Sequence, residues 1–154
     1  MDMAYVTGEA REDLLQAVAD AIDEIGLALA ALGAAYELLD ERSADRLEED
    51  LFRPIQVAYG RAKRTHAGFA ERYGLPGRTF TQPSPGAPSQ GVKGFLERAV
   101  DAVGEADDIL ADLQDSMRPV EVGDAELRAG LAEVRELVGR LRGQAREFIR
   151  TLGR

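Results

Sequence analysis

Apolar residues in the N-terminal quarter of the chain recur at alternating gaps of three and four positions. This 3-4-3-4-3-4-3 spacing, between residues 15 and 39, is typical of a helix with one buried face. A half-buried strand would instead alternate at every second residue, and the chain shows no such segment. The spacing therefore predicts an all-α chain. The residues of this seam are Leu15, Val18, Ile22, Ile25, Leu29, Leu32, Tyr36 and Leu39.

Three further segments show helical spacing, so we predict four helices in one domain, 1–154. Short connections join the first helix to the second and the third to the fourth, which favours two antiparallel hairpins. The stretch 74–90 between the hairpins is rich in Pro, Gly, Ser and Thr and predicts a flexible loop. These features predict a four-helix antiparallel up-down bundle with a long loop between helices two and three. The predicted helices span about 8–41, 44–73, 91–117 and 124–152.

Charge is divided unevenly among the four predicted helices. The first and third carry more acidic than basic residues, whereas the second and fourth are slightly basic. If helices adjacent in sequence are also adjacent in space, the two acidic helices lie on a diagonal of the bundle. Each acidic helix would then have two basic neighbours, an arrangement that favours this topology.

Pro54 stands inside the second predicted helix. Proline has no backbone N–H, and its ring clashes with the carbonyl four residues earlier. We therefore expect the helix to be distorted between Asp50 and Phe52.

Composition excludes several classes of site and partner. The chain has no cysteine and one histidine, which excludes disulfides, thiolate metal sites and multi-histidine sites within the chain. Its net charge of −9 opposes binding to nucleic acid and to anionic membranes. The N-terminal residues do not resemble a signal peptide, and the longest uncharged helical stretch, 25–36, is too short to span a membrane. We expect a cytoplasmic protein.

Arginines cluster on the second and fourth predicted helices and could form a nucleic-acid-binding face. Aromatic residues suited to base stacking are not interleaved with them, and acidic neighbours offer partners within the chain. We therefore do not expect nucleic acid as a partner. The basic residues are Arg61, Lys63, Arg64, Arg72, Arg135, Arg140, Arg142, Arg146, Arg150 and Arg154.

A row of carboxylates on the third helix is the clearest candidate for a metal site, because Mg²⁺ and Ca²⁺ prefer oxygen ligands. Each carboxylate follows a core position by two residues, about 200° around the helix, so the row is predicted to face solvent. We expect no metal site, no cofactor and no catalytic residue, and hence no enzyme. The row consists of Asp101, Glu105, Asp108, Asp112 and Asp115.

His66 falls in the apolar register of the second helix, between Ala62 and Phe69. This position predicts a buried histidine rather than an exposed phosphoacceptor. Alternative functions stay open: a histidine phosphocarrier using His66, or a metal-dependent hydrolase using the carboxylates of the third helix. A third alternative is a small-ligand-binding bundle whose polar pocket is lined by Tyr36, Tyr59, Tyr73 and His66.

A second apolar face lies on the first helix, opposite its core seam. The long loop could cover it with Leu75 and Phe80, or a ligand or foreign protein could do so. We favour a second copy of the chain, since two-fold dimers are the commonest oligomers. The sequence therefore predicts a non-enzymatic bundle that acts through protein–protein contact, first with itself. The predicted interface consists of Leu27, Ala30, Ala31, Ala34 and Leu38.

Overall fold

A computed structural model describes residues 3–152 and the side chains of residues 6–152. Over this range the chain is helical and contains no strand, which confirms the predicted all-α class. A π-helical turn joins α2 to α3, and a 3₁₀ turn precedes α4. The helices are α1 (Met3–Tyr36), α2 (Glu41–Leu47), α3 (Arg53–Arg72), α4 (Gly91–Asp115), α5 (Arg118–Glu121) and α6 (Ala125–Leu152).

The simple description as four helices is not exact, because the helices differ from the predicted ones in number and ends. α1 ends at Tyr36, and Asp40 caps α2 by accepting a hydrogen bond of 2.9 Å from the Ser43 backbone N–H. The third predicted helix ends early because Met117 adopts a left-handed backbone conformation, with φ of 65°. The short helix α5 begins directly after it.

The expected distortion before Pro54 is confirmed, and it takes the form of the π-helical turn Glu48–Phe52. At the end of this turn the Arg53 N–H bonds to the Glu48 carbonyl, five residues back. The wider turn moves the chain away from the register in which the proline ring would meet the carbonyl of Asp50. α2 and α3 therefore follow one another along the same side of the molecule.

The neighbour relations of the long helices differ from the predicted ones. α1 packs between α3 and α4, and α6 packs against the same two helices. The two acidic helices, α1 and α4, are therefore direct neighbours and form the most extensive helix pair, so their predicted diagonal placement is wrong. Small side chains explain the close approach, because the distance between helix axes depends on the residues at the contact. The buried alanines are Ala19, Ala21, Ala28, Ala31 and Ala35 on α1, and Ala99, Ala102 and Ala106 on α4.

The relative directions of the helices follow from which helix ends lie together at one end of the molecule. The residues after the end of α1 line one cleft with Val92 at the start of α4 and Ile149 at the end of α6. α4 therefore runs antiparallel to α1, and α6 runs parallel to it. Neighbouring helices are antiparallel, as predicted, but their order is up, down, down, up.

The connection between α3 and α4 follows from this order, since two helices that run the same way can be joined only along the length of the molecule. We call residues 75–87 of this connection the strap. Pro83 in the strap lies against Gly26 of α1, and Gly86 lies beside Arg98 of α4. Leu75 and Phe80 are half-buried against the core. The strap therefore crosses from α3 over α1 to α4.

A matched pair of glycines on α6 tests how closely α3 and α6 approach. A Cβ added at Gly130 would lie 2.8 Å from Cγ2 of Thr65, whereas one at Gly143 would meet nothing within 4 Å. We expect Gly130→Ala to lower the free energy of unfolding by about 1–3 kcal/mol through overpacking. Gly143→Ala should raise it by about 0.5–1 kcal/mol through helix propensity. Urea unfolding followed by circular dichroism measures both, and a stabilising Gly130→Ala would contradict the packing described here.

Candidate functional site

His66 lies on the inner side of α3 and is 3% exposed, which confirms its predicted burial. The ring of Phe80 in the strap meets it edge-on, with centroids 5.1 Å apart and planes at 87°. Burial lowers the pKa of the His66 imidazole below its ordinary value, and the nearby Arg78 guanidinium lowers it further. The ring is therefore neutral at pH 7.

The strap and α1 border an open cleft of about 430 Å³ beside His66. Leu15 and Ala19 of α1 and Leu75 and Pro76 of the strap form its apolar walls. The polar residues that line it are Glu12, Gln16 and Arg78, in addition to His66.

Arg78 fixes the strap to α1. Its Nη2 lies 3.0 Å from both carboxylate oxygens of Asp23, and its guanidinium lies 4.7 Å from the centroid of the Phe80 ring. One arginine therefore joins a carboxylate of α1 to the aromatic ring that covers His66.

Further along the strap, Pro83 packs at a second fixed point. A Cβ at Gly26 would lie 3.6 Å from Cδ of Pro83 and 3.4 Å from the hydroxyl of Tyr59, so a Cβ here would be in ordinary van der Waals contact with both. Nζ of Lys63 lies 4.2 Å from the centroid of the Tyr59 ring. Burial raises the pKa of the Tyr59 hydroxyl, and the neighbouring Asp23 carboxylate raises it further.

The predicted polar pocket is not formed by all four of its residues. Tyr59 and His66 both lie near the strap, whereas Tyr73 lies under the Arg11 guanidinium, 4.1 Å from its ring centroid. Tyr36 is exposed at the C-terminal end of α1. The structure therefore separates Tyr36 and Tyr73 from the cleft beside His66.

The residues of the predicted interface on α1 have different environments. Ala31 is 0% exposed and belongs to the core of its own chain, so its predicted place in an interface is wrong. Leu27, Ala30 and Ala34 are half-buried, and Leu38 is 53% exposed. The strap covers the neighbouring positions Ala19 and Gly26 rather than this face itself.

The carboxylates of the third predicted helix all lie on exposed positions of α4, as their spacing predicts. One of them, Asp108, has an oxygen 3.7 Å from the Arg142 guanidinium of α6. Within residues 3–152, no three acidic or histidine side chains are grouped closely enough to hold a metal ion. The row therefore forms a charged, solvated face.

Arginines on α3 are bound to carboxylates at the start of α6 and on its first half. Nε of Arg61 lies 2.7 Å from Glu133, and Arg72 contacts both Asp124, at 2.6 Å, and Glu126, at 2.8 Å. Asp124 also caps α6 by accepting a hydrogen bond from the Leu127 backbone N–H. These pairs join two helices, which weakens the interpretation of the arginines as a nucleic-acid face.

A groove at one end of the molecule was not predicted from the sequence. It has a volume of about 630 Å³ and is formed by the residues after α1, the start of α4 and the end of α6. These segments are far apart in the sequence, so helical spacing within any one of them does not indicate the groove. We call it the end groove. Its apolar residues are Leu38, Leu39, Val92, Ile149 and Leu152, and its charged residues are Asp40, Lys93 and Arg150.

Comparison with known proteins adds no assignment to these features. No family model, curated protein or solved structure matches the chain. Between residues 3 and 152, no helix combines the length and the apolar character needed to cross a membrane. The features that bear on function are therefore the cleft, the strap and the end groove.

The burial of His66 generates a direct chemical prediction. Because the residue is 3% exposed and Phe80 lies against its ring, little of the imidazole surface is open to a small phosphodonor. We expect the mass of the protein to be unchanged after incubation with acetyl phosphate at neutral pH. Intact mass spectrometry measures this, and a stable phosphohistidine at His66 would refute the structural role assigned to the ring.

Proposed function

We propose that this protein is a non-enzymatic, cytoplasmic four-helix bundle that acts through protein–protein contact, first with a second copy of itself. The observation that carries the proposal is the end groove, where five apolar side chains line an open surface. Leu38 is 53% exposed there, on a chain whose other large apolar residues are mostly buried. Exposed apolar surface bordered by charge is typical of protein interaction sites.

The charges around the end groove favour a second copy as the partner. Asp40 is acidic, whereas Lys93 and Arg150 are basic. In a two-fold dimer the same surface meets itself, so the acid of each copy can face a base of the other. The groove therefore offers both an acid and a base for contact with a second copy.

The alternative functions have less support from the geometry. A phosphocarrier needs an accessible histidine, and His66 is covered by Phe80. A metal-dependent hydrolase needs converging carboxylates, and those of α4 lie on its exposed face. The interface predicted from the sequence lies on the flank of α1 and still includes Leu27, Ala30 and Ala34. Leu38 belongs both to that interface and to the end groove.

A charge introduced into the end groove tests this proposal. We expect Leu38→Glu to weaken self-association at least about tenfold, equivalent to about 1.4 kcal/mol, because a carboxylate would be buried among apolar groups. Sedimentation velocity over a range of protein concentrations measures the association. Far-UV circular dichroism should show unchanged helicity.

Val57→Glu provides the matched control, because Val57 is similarly exposed, at 58%, but lies on α3. This variant should associate like the unmodified chain. A monomeric parent protein at high concentration, or equal behaviour of the two variants, would contradict self-association through the end groove.

A further inference from the structure

We propose that the strap is an acid-opened latch in which His66 is the sensor. At neutral pH the strap covers the groove between α1 and α3, and protonation of His66 releases it. This inference concerns the opposite part of the chain from the end groove and stands independently of the proposed dimer.

Three contacts hold the strap closed. Phe80 covers the His66 ring edge-on at 5.1 Å, and Arg78 binds both oxygens of Asp23 at 3.0 Å. Pro83 packs against Gly26 of α1. Of these contacts, only the first places a group that titrates near neutral pH under the strap.

A proton on His66 would oppose the closed arrangement for two reasons. The residue is 3% exposed, and burial disfavours the charged form of its ring. The nearest charge on the strap is the Arg78 guanidinium, which already lowers the pKa of His66. An additional positive charge would therefore repel the residue that fastens the strap to α1.

The carboxylates around His66 do not compensate for this charge. Asp23 of α1 is bound to Arg78, and Glu12 is exposed to solvent at the edge of the cleft. On α6, the side chains of Glu126 and Glu133 contact arginines of α3. The one charge that the strap places near the ring is the positive charge of Arg78.

Two further titratable groups on α3, Tyr59 and Lys63, are also unsuited to stabilise an imidazolium. Tyr59 stays neutral because its pKa is raised, and Lys63 is a cation that lies over the Tyr59 ring. Both residues lie on the same helix as His66, within two turns of it. The Tyr59 hydroxyl therefore carries no charge between pH 5 and 7.

The direction of the pH effect follows from the lowered pKa of His66 in the closed state. The closed strap binds fewer protons than the open strap, where the ring regains its ordinary pKa of about 6.5. Closure is therefore fully favoured above about pH 6.5 and is lost as the pH falls through the lowered value. Opening would expose Ala19 and Gly26 together with the His66 ring, which creates an apolar surface only in acid.

The experiment uses the full chain and its single histidine, which gives one imidazole signal in an NMR spectrum. We would titrate this signal between about pH 7.5 and 4.5 and measure the nuclear Overhauser effect between Gly26 Hα and Pro83 Hδ over the same range, because these groups lie together when the strap is closed. This effect should be lost with the midpoint of the His66 titration, and the ratio of open to closed strap should rise about tenfold for each unit by which the two His66 pKa values differ. The corresponding effect between Thr65 of α3 and Gly130 of α6 should persist. A Gly26–Pro83 effect that stays constant while His66 titrates would overturn the proposal.

Two variants test whether His66 or Asp23 controls the opening of the strap. His66→Gln has no charge to gain, so the Gly26–Pro83 effect should no longer change between about pH 7.5 and 4.5. Asp23→Asn removes the carboxylate that binds Arg78 but should keep the transition at the His66 midpoint. If His66→Gln keeps the transition and Asp23→Asn loses it, Asp23 is the sensor and the proposal is wrong.

Discussion

α1 and α4 contribute buried alanines to the core, and the close approach that these small side chains permit determines the positions of the other elements. With α4 at one side of α1 and α3 at the other, α6 can reach the core only across from α1. α3 and α4 then run in the same direction, so their connection has to travel the length of the molecule. The strap, and the cleft that it covers, are consequences of this arrangement.

The packing of two acidic helices side by side brings like charges together, and arginines beside the contact reduce the repulsion. Burial raises the pKa of Glu24 on α1, and the carboxylates of Glu105 and Asp23 raise it further, whereas Arg98 lowers it. Arginines from outside the pair reduce the repulsion, as Arg78 of the strap does by binding Asp23. The surface ion pairs are individually weak, so apolar packing rather than charge selects the neighbours of α1.

Patterns within a single predicted helix were enough to predict several features of the structure. They identified the helical class, the burial of His66, the solvated carboxylates of α4 and the distortion before Pro54. They could not identify which helices are neighbours, because the spacing of Ala21, Ala28 and Ala35 shows a buried row without showing what covers it. The end groove was missed for a related reason, since its walls come from three distant segments. The left-handed turn at Met117 has no glycine or asparagine to indicate it.

α1 lies beside α4 and across the core from α6. Because the chain has no cysteine, a pair of introduced cysteines reports this contact without background. Glu24→Cys with Glu105→Cys should form an intrachain crosslink with a short bismaleimide, since these side chains interact across the α1–α4 contact. Glu24→Cys with Arg140→Cys, on α6, should not. Crosslinking of the α1–α6 pair in preference to the α1–α4 pair would contradict the arrangement described here.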